Sequence, residues 1–232
     1  MELRIKYGKT GQGKFISHLD LIRAWERAFR RARIPIAYSQ GFNPHPKLSF
    51  GSALAVGVTS SGEYMDVTLK SYLSIQEVKG ELAKYLPKGL EVYDIVEIPP
   101  RAPSLMSLID RAKYLVFLEL FHDLTSEELT DFLNGLLAQN QVLIERNTKK
   151  GLREKDIRSG IFELKGKLIS TRSIELEMVV ETGSDGNVRP EEVVSALKAK
   201  GLPLDLETMT IHREGLYVGG DTGLNSPLSV TI

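Results

Sequence analysis

The order of the predicted strands and helices indicates an α+β protein with antiparallel sheets. Residues 2–7, ELRIKY, alternate apolar and charged side chains as a half-buried strand does, and an amphipathic helix follows before Pro35. KLSFGSALAVGV and GEYMDVTLKS are typical of two further strands. A helix that starts after Ser74 and the strand LEVYDIVEI complete the order β-α-β-β-α-β, which is the split βαβ or ferredoxin-like pattern.

A similar order of elements recurs after a proline-rich segment. Pro99, Pro100 and Pro103 indicate a linker, and beyond it a strand, a helix, three strands, a helix and a last strand are predicted. The sequence therefore predicts two tandem ferredoxin-like units, each with its helices on one face of an antiparallel sheet. The predicted parts are a domain at residues 1–100, a linker at 101–112, and a second domain at 113–232 with a basic insertion at 146–158.

The composition limits the chemistry that this chain carries. It has 232 residues, a formal net charge of zero and no cysteine, which excludes disulfides, thiolate zinc sites and cysteine-ligated iron–sulfur clusters within it. No apolar run approaches the roughly 20 residues that span a bilayer, and no apolar signal core is present. We expect a cytoplasmic protein that binds no membrane and holds no cofactor of its own.

The neutral total conceals a basic region at the start of the chain. Residues 1–50 hold ten Lys or Arg and three Asp or Glu. On the first predicted helix, Leu21, Trp25 and Phe29 share one side, and four arginines lie on the opposite side. Arginine presents a planar fork that fits phosphate, so this side is predicted to contact RNA phosphates, the alternative being a solvated surface. The four residues are Arg23, Arg27, Arg30 and Arg31.

A stiff aromatic segment follows this helix directly. In residues 38–50, YSQGFNPHPKLSF, Pro44 and Pro46 restrict the backbone and Gly41 permits conformations that other residues avoid. Tyr38 and Phe42 are predicted to stack on unpaired bases, the alternative being that the aromatic side chains anchor the segment in the core. The predicted polar contacts to the RNA come from Asn43, His45 and Lys47.

No motif in the chain indicates a reaction, so the sequence favours a protein that is not an enzyme. The only weak catalytic candidates are His18 and His45, and the histidines lack metal-ligand spacing. Ser17 and Asp20 are predicted to cap the first helix rather than to form a triad with His18. GKTGQGK is similar to a phosphate loop but continues with Phe15 in place of Ser or Thr.

The insertion at residues 146–158 is a second basic segment. RNTKKGLREKDIR holds six basic and two acidic residues. It is interpreted either as an exposed hairpin or as a second element that binds phosphate. Within it, Asp156 is predicted to position Arg158 for a phosphate contact.

Two resemblances extend these predictions. FISHLDLIRAWERAFRRARIPIAYSQGFNPHPKLSFGSALAVGVTSSGEYMDV resembles the N-terminal signature of a bacterial family of unknown function, encoded beside or fused to radical SAM proteins. KDIR is similar to a later feature of that family. The resemblance implies an accessory to a radical SAM partner, with no established activity. At the level of the fold, the tandem arrangement also resembles the RAMP superfamily of CRISPR-repeat endoribonucleases, with His18 and residues 215–223 at comparable places.

The sequence therefore predicts an accessory protein that binds RNA and presents tRNA or ribosomal RNA to a radical SAM partner. One alternative is a metal-independent endoribonuclease of RAMP type that uses His18 or His45. Another is a module whose basic face docks an acidic protein surface without binding RNA.

Overall fold

The computed structural model describes residues 1–148, 151–220 and 223–229, and Lys149 and Lys150 of the predicted insertion lie outside them. The described chain is a mixed α+β protein with five α-helices and mostly antiparallel pairing. Its strands are β1 (Glu2–Lys9), β2 (Leu48–Phe50), β3 (Thr59–Thr68), β4 (Leu90–Ile98), β5 (Arg111–Leu120), β6 (Leu143–Thr148), β7 (Gly151–Asp156), β8 (Ile161–Ser170), β9 (Ser173–Glu181), β10 (Leu204–Gly220) and β11 (Gly223–Asn225). Its helices are α1 (His18–Arg31), α2 (Ile75–Tyr85), α3 (Leu105–Leu108), α4 (Ser126–Leu137) and α5 (Pro190–Ala199).

The chain divides into two compact units, and the division falls within β10. Unit 1 comprises Met1–Asp110 and the chain from Arg213 onward, and unit 2 is Arg111–His212. The predicted division placed all of residues 113–232 in the second domain. The difference arises because the last part of β10 lies against β3: a Cβ atom at Gly62 would lie 2.6 Å from the backbone of Gly215. This pairing joins residues far apart in sequence and has no local pattern.

The sheet of unit 1 has β1 at its centre. Its strand order is β4-β1-β3, with β2 and the end of β10 beside β3. All of the described pairings of β1 and β2 are antiparallel, and Ile5 of β1 lies opposite Met65 of β3 and Ile95 of β4. Because β1 and β2 both run antiparallel to β3, they are parallel to one another with β3 between them.

Helices α1 and α2 pack on one face of this sheet. Alternate residues of β1, namely Leu3, Ile5 and Tyr7, belong to one buried cluster with Trp25 of α1 and Leu82 of α2. The rings of Tyr7 and Trp25 meet edge to face with centroids 5.2 Å apart. The apolar stripe of α1 therefore faces the sheet, as its periodicity predicts.

The opposite face of β1 is closed by a buried arginine. The side chain of Arg4 is 1% exposed, and its guanidinium donates to both carboxylate oxygens of Asp66 at 2.8 and 2.9 Å. It also donates to the carbonyl oxygens of Pro103 and Pro227. Arg4 thus ties the linker region and the segment that follows β11 to the sheet.

Unit 2 has the strand order β10-β5-β9-β8, in which β9 pairs antiparallel with both β5 and β8. Val116 of β5 lies opposite Leu176 of β9, and Leu164 of β8 lies opposite Met178. Helix α4 contacts β8 and α5. Strands β6 and β7 form a separate two-stranded hairpin, so the first of the three strands predicted between the two helices of the second unit pairs with β7 rather than in the main sheet. In the described ranges, no helix is long and apolar enough to cross a membrane.

A salt bridge holds the β6–β7 hairpin to the start of α5. The Arg146 guanidinium donates to both oxygens of Glu192 at 2.6 and 2.7 Å, and to the carbonyl oxygen of Asn187. Burial raises the pKa of Glu192, but its bonds with Arg146 and with the backbone N–H of Arg189 outweigh this, so the pKa lies below its usual 4.5.

The last part of β10 joins β3 through a buried charged pair. The side chains of Glu63 and Arg213 are 5% and 1% exposed, and Arg213 donates from Nε to Glu63 at 2.7 Å and from its terminal nitrogen to the carbonyl of Ser52 at 2.9 Å. Lys9 is buried nearby, and its ammonium donates to the carbonyl of Ile16. Desolvation lowers the pKa of Lys9, and the charge of Glu63 opposes that shift. Lys9 is therefore part of the core and does not reach a phosphate.

We expect Glu63→Gln to lower the free energy of unfolding by about 3–5 kcal/mol, because it leaves the buried Arg213 charge uncompensated. Unfolding in urea measures this change. Glu63→Leu combined with Arg213→Met should be less destabilised than Glu63→Gln alone, since the buried Arg213 charge is then removed together with its partner. A loss below about 1 kcal/mol for Glu63→Gln would contradict a structural role for the pair.

The stability of unit 2 should depend on pH through Glu192. Because its folded pKa lies below its unfolded value, its contribution is complete above about pH 4.5 and disappears as the pH falls through the folded pKa. We expect Glu192→Gln to lower the urea midpoint at pH 7 and to flatten the acid dependence. The matched control is Glu207→Gln, at an exposed residue, which should leave both unchanged. Equal midpoints for Glu192→Gln and wild type at pH 7 would refute the anchoring role.

Candidate nucleic-acid interface

The four arginines of α1 form an exposed face, called here the arginine face. Arg23, Arg27, Arg30 and Arg31 are all exposed, on the side of the helix opposite the buried stripe. Ser17 caps the helix by accepting the backbone N–H of Asp20, so the orientation of the face is fixed by both the cap and the core. Arginines three or four residues apart lie roughly 5–6 Å apart at their Cβ atoms.

These guanidinium groups are largely free of internal partners. Arg23 meets Asp20 at 3.4 Å, and both side chains are more than half exposed, so this ion pair is weak. Across the described part of the chain, Arg27, Arg30 and Arg31 have no ion-pair partner. Their donors are therefore open to a ligand in the solvent.

The structure extends the basic surface to two residues that sequence analysis did not select. Arg33 is exposed, and its φ of 55° turns the chain after α1. Lys70 is exposed, and its ammonium lies 5.7 Å from the ring centroid of Tyr38. Arg33 could have been selected from the sequence, because it belongs to the same run of basic residues as Arg30 and Arg31. Lys70 had no local indication, because it approaches Tyr38 only through the pairing of Ile36 with Leu69.

Residues 38–50, the aromatic loop, stand on a hydrogen-bonded stem. The backbone N–H of Ser39 donates to the carbonyl of His45, and that of Lys47 donates to the carbonyl of Ala37, each at 2.8 Å. The hydroxyl of Ser39 accepts the backbone N–H of His45 at 3.0 Å. Tyr38 and Pro46 also pair across the stem. These bonds fix the base of the loop and leave residues 40–44 as its tip.

The tip presents an aromatic ring to the solvent. Phe42 is fully exposed at 106%, next to Gly41, whose φ of 126° is strained for any other residue. Asn43 and His45 are also exposed, and no described residue hydrogen-bonds to either side chain. At this exposure the ring of Phe42 is not packed against the described part of the chain. The side chain of Lys47 is exposed at the stem.

The core anchor of the loop is Phe50. It is half-buried and meets Tyr7 and His18 edge to face, with centroids 6.5 and 5.5 Å away. The alternative that the aromatics anchor the loop thus applies to Phe50 and not to Phe42. Tyr38 is intermediate, at 43% exposed.

The histidines lie in no recognisable catalytic arrangement. The hydroxyl of Ser17 donates to Asp20 at 2.8 Å, which leaves His18 against Phe50 rather than between a nucleophile and a carboxylate. His45 stands at the loop stem with an exposed side chain. Among the described residues, no group of three His, Asp or Glu side chains is placed to hold a metal ion.

Arg158 is used by its own unit. Its guanidinium donates to the carbonyl of Leu137 at 2.9 and 2.6 Å and to that of Ile161 at 3.3 Å, so it satisfies the C-terminal end of α4. Asp156 accepts the backbone N–H groups of Arg158 and Val142, which lowers the pKa of this carboxyl. Asp156 thus fixes the backbone of Arg158, whose guanidinium bonds to carbonyl groups of its own unit. The predicted phosphate contact of Arg158 is not supported.

Comparisons with solved structures give weak similarities. Over 91% of its length, the chain is similar to 47% of a chain in the crystal structure of a Cbf5-Nop10-Gar1 complex, with 13% identity and a TM-score of 0.48. It is also similar to 46% of a chain in the archaeal box H/ACA sRNP Nop10-Cbf5 complex, with 11% identity, 91% of this chain covered and a TM-score of 0.47. It thus spans about half the length of these two chains.

A third similarity is to the crystal structure of an unknown protein from Galdieria sulphuraria, with 10% identity and a TM-score of 0.25, covering 91% of this chain and 97% of that one. No curated protein matches the chain. Since all three TM-scores lie below 0.5, none of these similarities assigns a function.

A sequence family, by contrast, matches most of the chain. The model of the family described as "Uncharacterized protein conserved in bacteria (DUF2344)" covers residues 2–190, which include the arginine face, the aromatic loop and the β6–β7 hairpin. The chain belongs to this conserved bacterial family, DUF2344.

Proposed function

We propose that this protein binds RNA through the arginine face and serves as an accessory to a separate radical SAM protein that modifies tRNA or ribosomal RNA. The observation that carries the RNA part is the exposure of Arg27, Arg30 and Arg31 without ion-pair partners in the described chain. Charged side chains on a helix surface commonly pair with neighbours three or four residues away. These arginines do not, and so their donors suit an external anion.

Phosphate is the anion that fits this surface best. Residues 21–47 contain six Lys or Arg and one acidic residue, Glu26, in a chain whose total charge is zero. A local concentration of positive charge attracts a polyanion even when the whole protein is neutral. Guanidinium groups bind phosphate through two parallel hydrogen bonds, which favours arginine over lysine at such a site.

The proposal of a radical SAM partner rests on the family resemblance that residues 14–68 carry. In this proposal the partner holds the iron–sulfur cluster, since the 232-residue chain has no cysteine with which to ligate one. This chain supplies the RNA-binding surface, and the partner supplies the chemistry. Co-expression with a radical SAM protein of the kind that the family resemblance implies should give a complex that co-elutes in size-exclusion chromatography, and separate elution at micromolar concentrations would refute the partnership.

We also infer that each unit is a ferredoxin-like βαββαβ module. In unit 1 the order β4-β1-β3-β2 places one strand between the two parallel strands that α1 connects. In unit 2 the order β10-β5-β9-β8 repeats that arrangement, with the hairpin as an insertion. Both orders support the split βαβ pattern.

Binding of total small RNA should depend steeply on salt and on the arginine face. Each single-strand phosphate contact contributes about 0.7 to the slope of log K against log salt, so Arg27→Glu/Arg30→Glu should reduce that slope by about 1.4. Fluorescence anisotropy over a salt series measures both affinity and slope. The affinity of this variant for RNA should fall at least about tenfold at low salt, because two attractive contacts between arginine and phosphate are replaced by two repulsive ones between glutamate and phosphate.

Lys88→Glu/Lys200→Glu is the matched control, since it makes the same charge change at exposed residues that do not belong to the arginine face. It should retain most of the affinity and the slope. Equal losses in both variants would indicate a diffuse charge effect rather than a site. If wild type binds no RNA at low salt, the proposal fails, and the arginine face becomes a candidate docking surface for an acidic protein.

A further inference from the structure

We propose that Phe42, at the tip of the aromatic loop, stacks on an unpaired nucleobase, so that the ligand is RNA with a single-stranded loop or bulge. This inference rests on the proposed function, because the arginine face holds the phosphates beside that base. Beyond the proposed function, it specifies the class of RNA that is bound and the residue that selects this class.

The ring of Phe42 is more accessible than that of Tyr38. Within the described part of the chain Phe42 is 106% exposed, whereas Tyr38 is 43% exposed and Lys70 lies 5.7 Å from its ring centroid, where it shields part of that ring. When a base stacks on an aromatic ring, the apolar area of the covered ring face is removed from water, and this burial stabilises the complex. Phe42 is therefore the stacking group, and Tyr38 with Lys70 forms its support at the stem.

The loop holds this ring in place before a ligand arrives. The bonds between Ser39 and His45 close the stem, and Pro44 restricts the tip on the other side of Phe42 from Gly41. A loop that is already ordered loses little conformational entropy on binding. The exposed ring is thus presented on a structured support, unlike a side chain on a mobile terminus.

An intact RNA duplex has no exposed base face on which such a ring could stack. In A-form RNA each base face is covered by its neighbours, and the major groove is too deep and narrow for a loop to enter. An unpaired base exposes both a face and an edge. Asn43 and His45 flank the tip with free donors and acceptors, which suit the edge of the base on which Phe42 stacks.

Cations surround the base of the loop, where the adjoining phosphates would lie. Lys47 is exposed at one side of the stem. Lys70 donates its backbone N–H to the carbonyl of Pro35, which places it beside the chain that links Arg33 to Tyr38. The nucleotides next to a stacked base therefore meet positive charge, and the arginine face continues it along α1.

The test compares a stem–loop RNA carrying 2-aminopurine in its loop with a blunt duplex that has the same number of phosphates. We expect Phe42→Ala to weaken binding of the stem–loop by about 5- to 100-fold, the range for loss of one stacked base, and to leave duplex binding and the salt slope unchanged. Phe42→Trp should restore binding. The 2-aminopurine fluorescence should be quenched by wild type and by Phe42→Trp but not by Phe42→Ala.

Phe15→Ala is the matched control, because Phe15 is an exposed aromatic outside the aromatic loop. It should bind both RNAs as wild type does. If Phe42→Ala weakens stem–loop and duplex equally, or neither, while Arg27→Glu/Arg30→Glu weakens both, the inference is overturned and the proposed function stands. If wild type binds neither RNA, both are overturned.

Discussion

Burial of the apolar stripe of α1 against β1 is the constraint on which the candidate site depends. Trp25 and Phe29 are fully buried, and Trp25 meets Tyr7 of β1 edge to face. Burying two large aromatic side chains stabilises the contact by several kcal/mol, which fixes the rotation of the helix about its axis. The arginines therefore lie on the solvent side of the helix. The chemistry of the surface is thus a consequence of packing in the core.

The same packing sets the position of the aromatic loop. Phe50 lies at its end, against Tyr7 and His18, so one residue anchors the loop to the helix and to β1 together. Beyond this anchor, the backbone hydrogen bonds of the stem fix the conformation of the loop as far as its tip. Exposure of Phe42 forgoes roughly 1.5–3 kcal/mol that burial of such a side chain would contribute. A ligand that covers the ring recovers that free energy.

Two groups of cations in this protein have different physical roles. Arg4, Lys9, Arg146, Arg158 and Arg213 are buried or half-buried and donate to carboxylates or carbonyls of the chain. Removing any of them leaves partners without hydrogen bonds, so they act through stability. The cations of the arginine face satisfy nothing in the described fold except Asp20. That contrast, rather than the number of basic residues, distinguishes a binding surface from a structural network.

Most strands and helices, and the faces of the helices, could be predicted from the sequence, because they depend on local periodicity and capping. The solvent side of α1 and the β-α-β-β-α-β order of unit 1 could both be deduced in this way. Which cations are free depends on tertiary contacts. Arg158 caps α4, Lys70 reaches Tyr38, and β10 is divided between the units, because these contacts join residues distant in sequence that no local pattern connects.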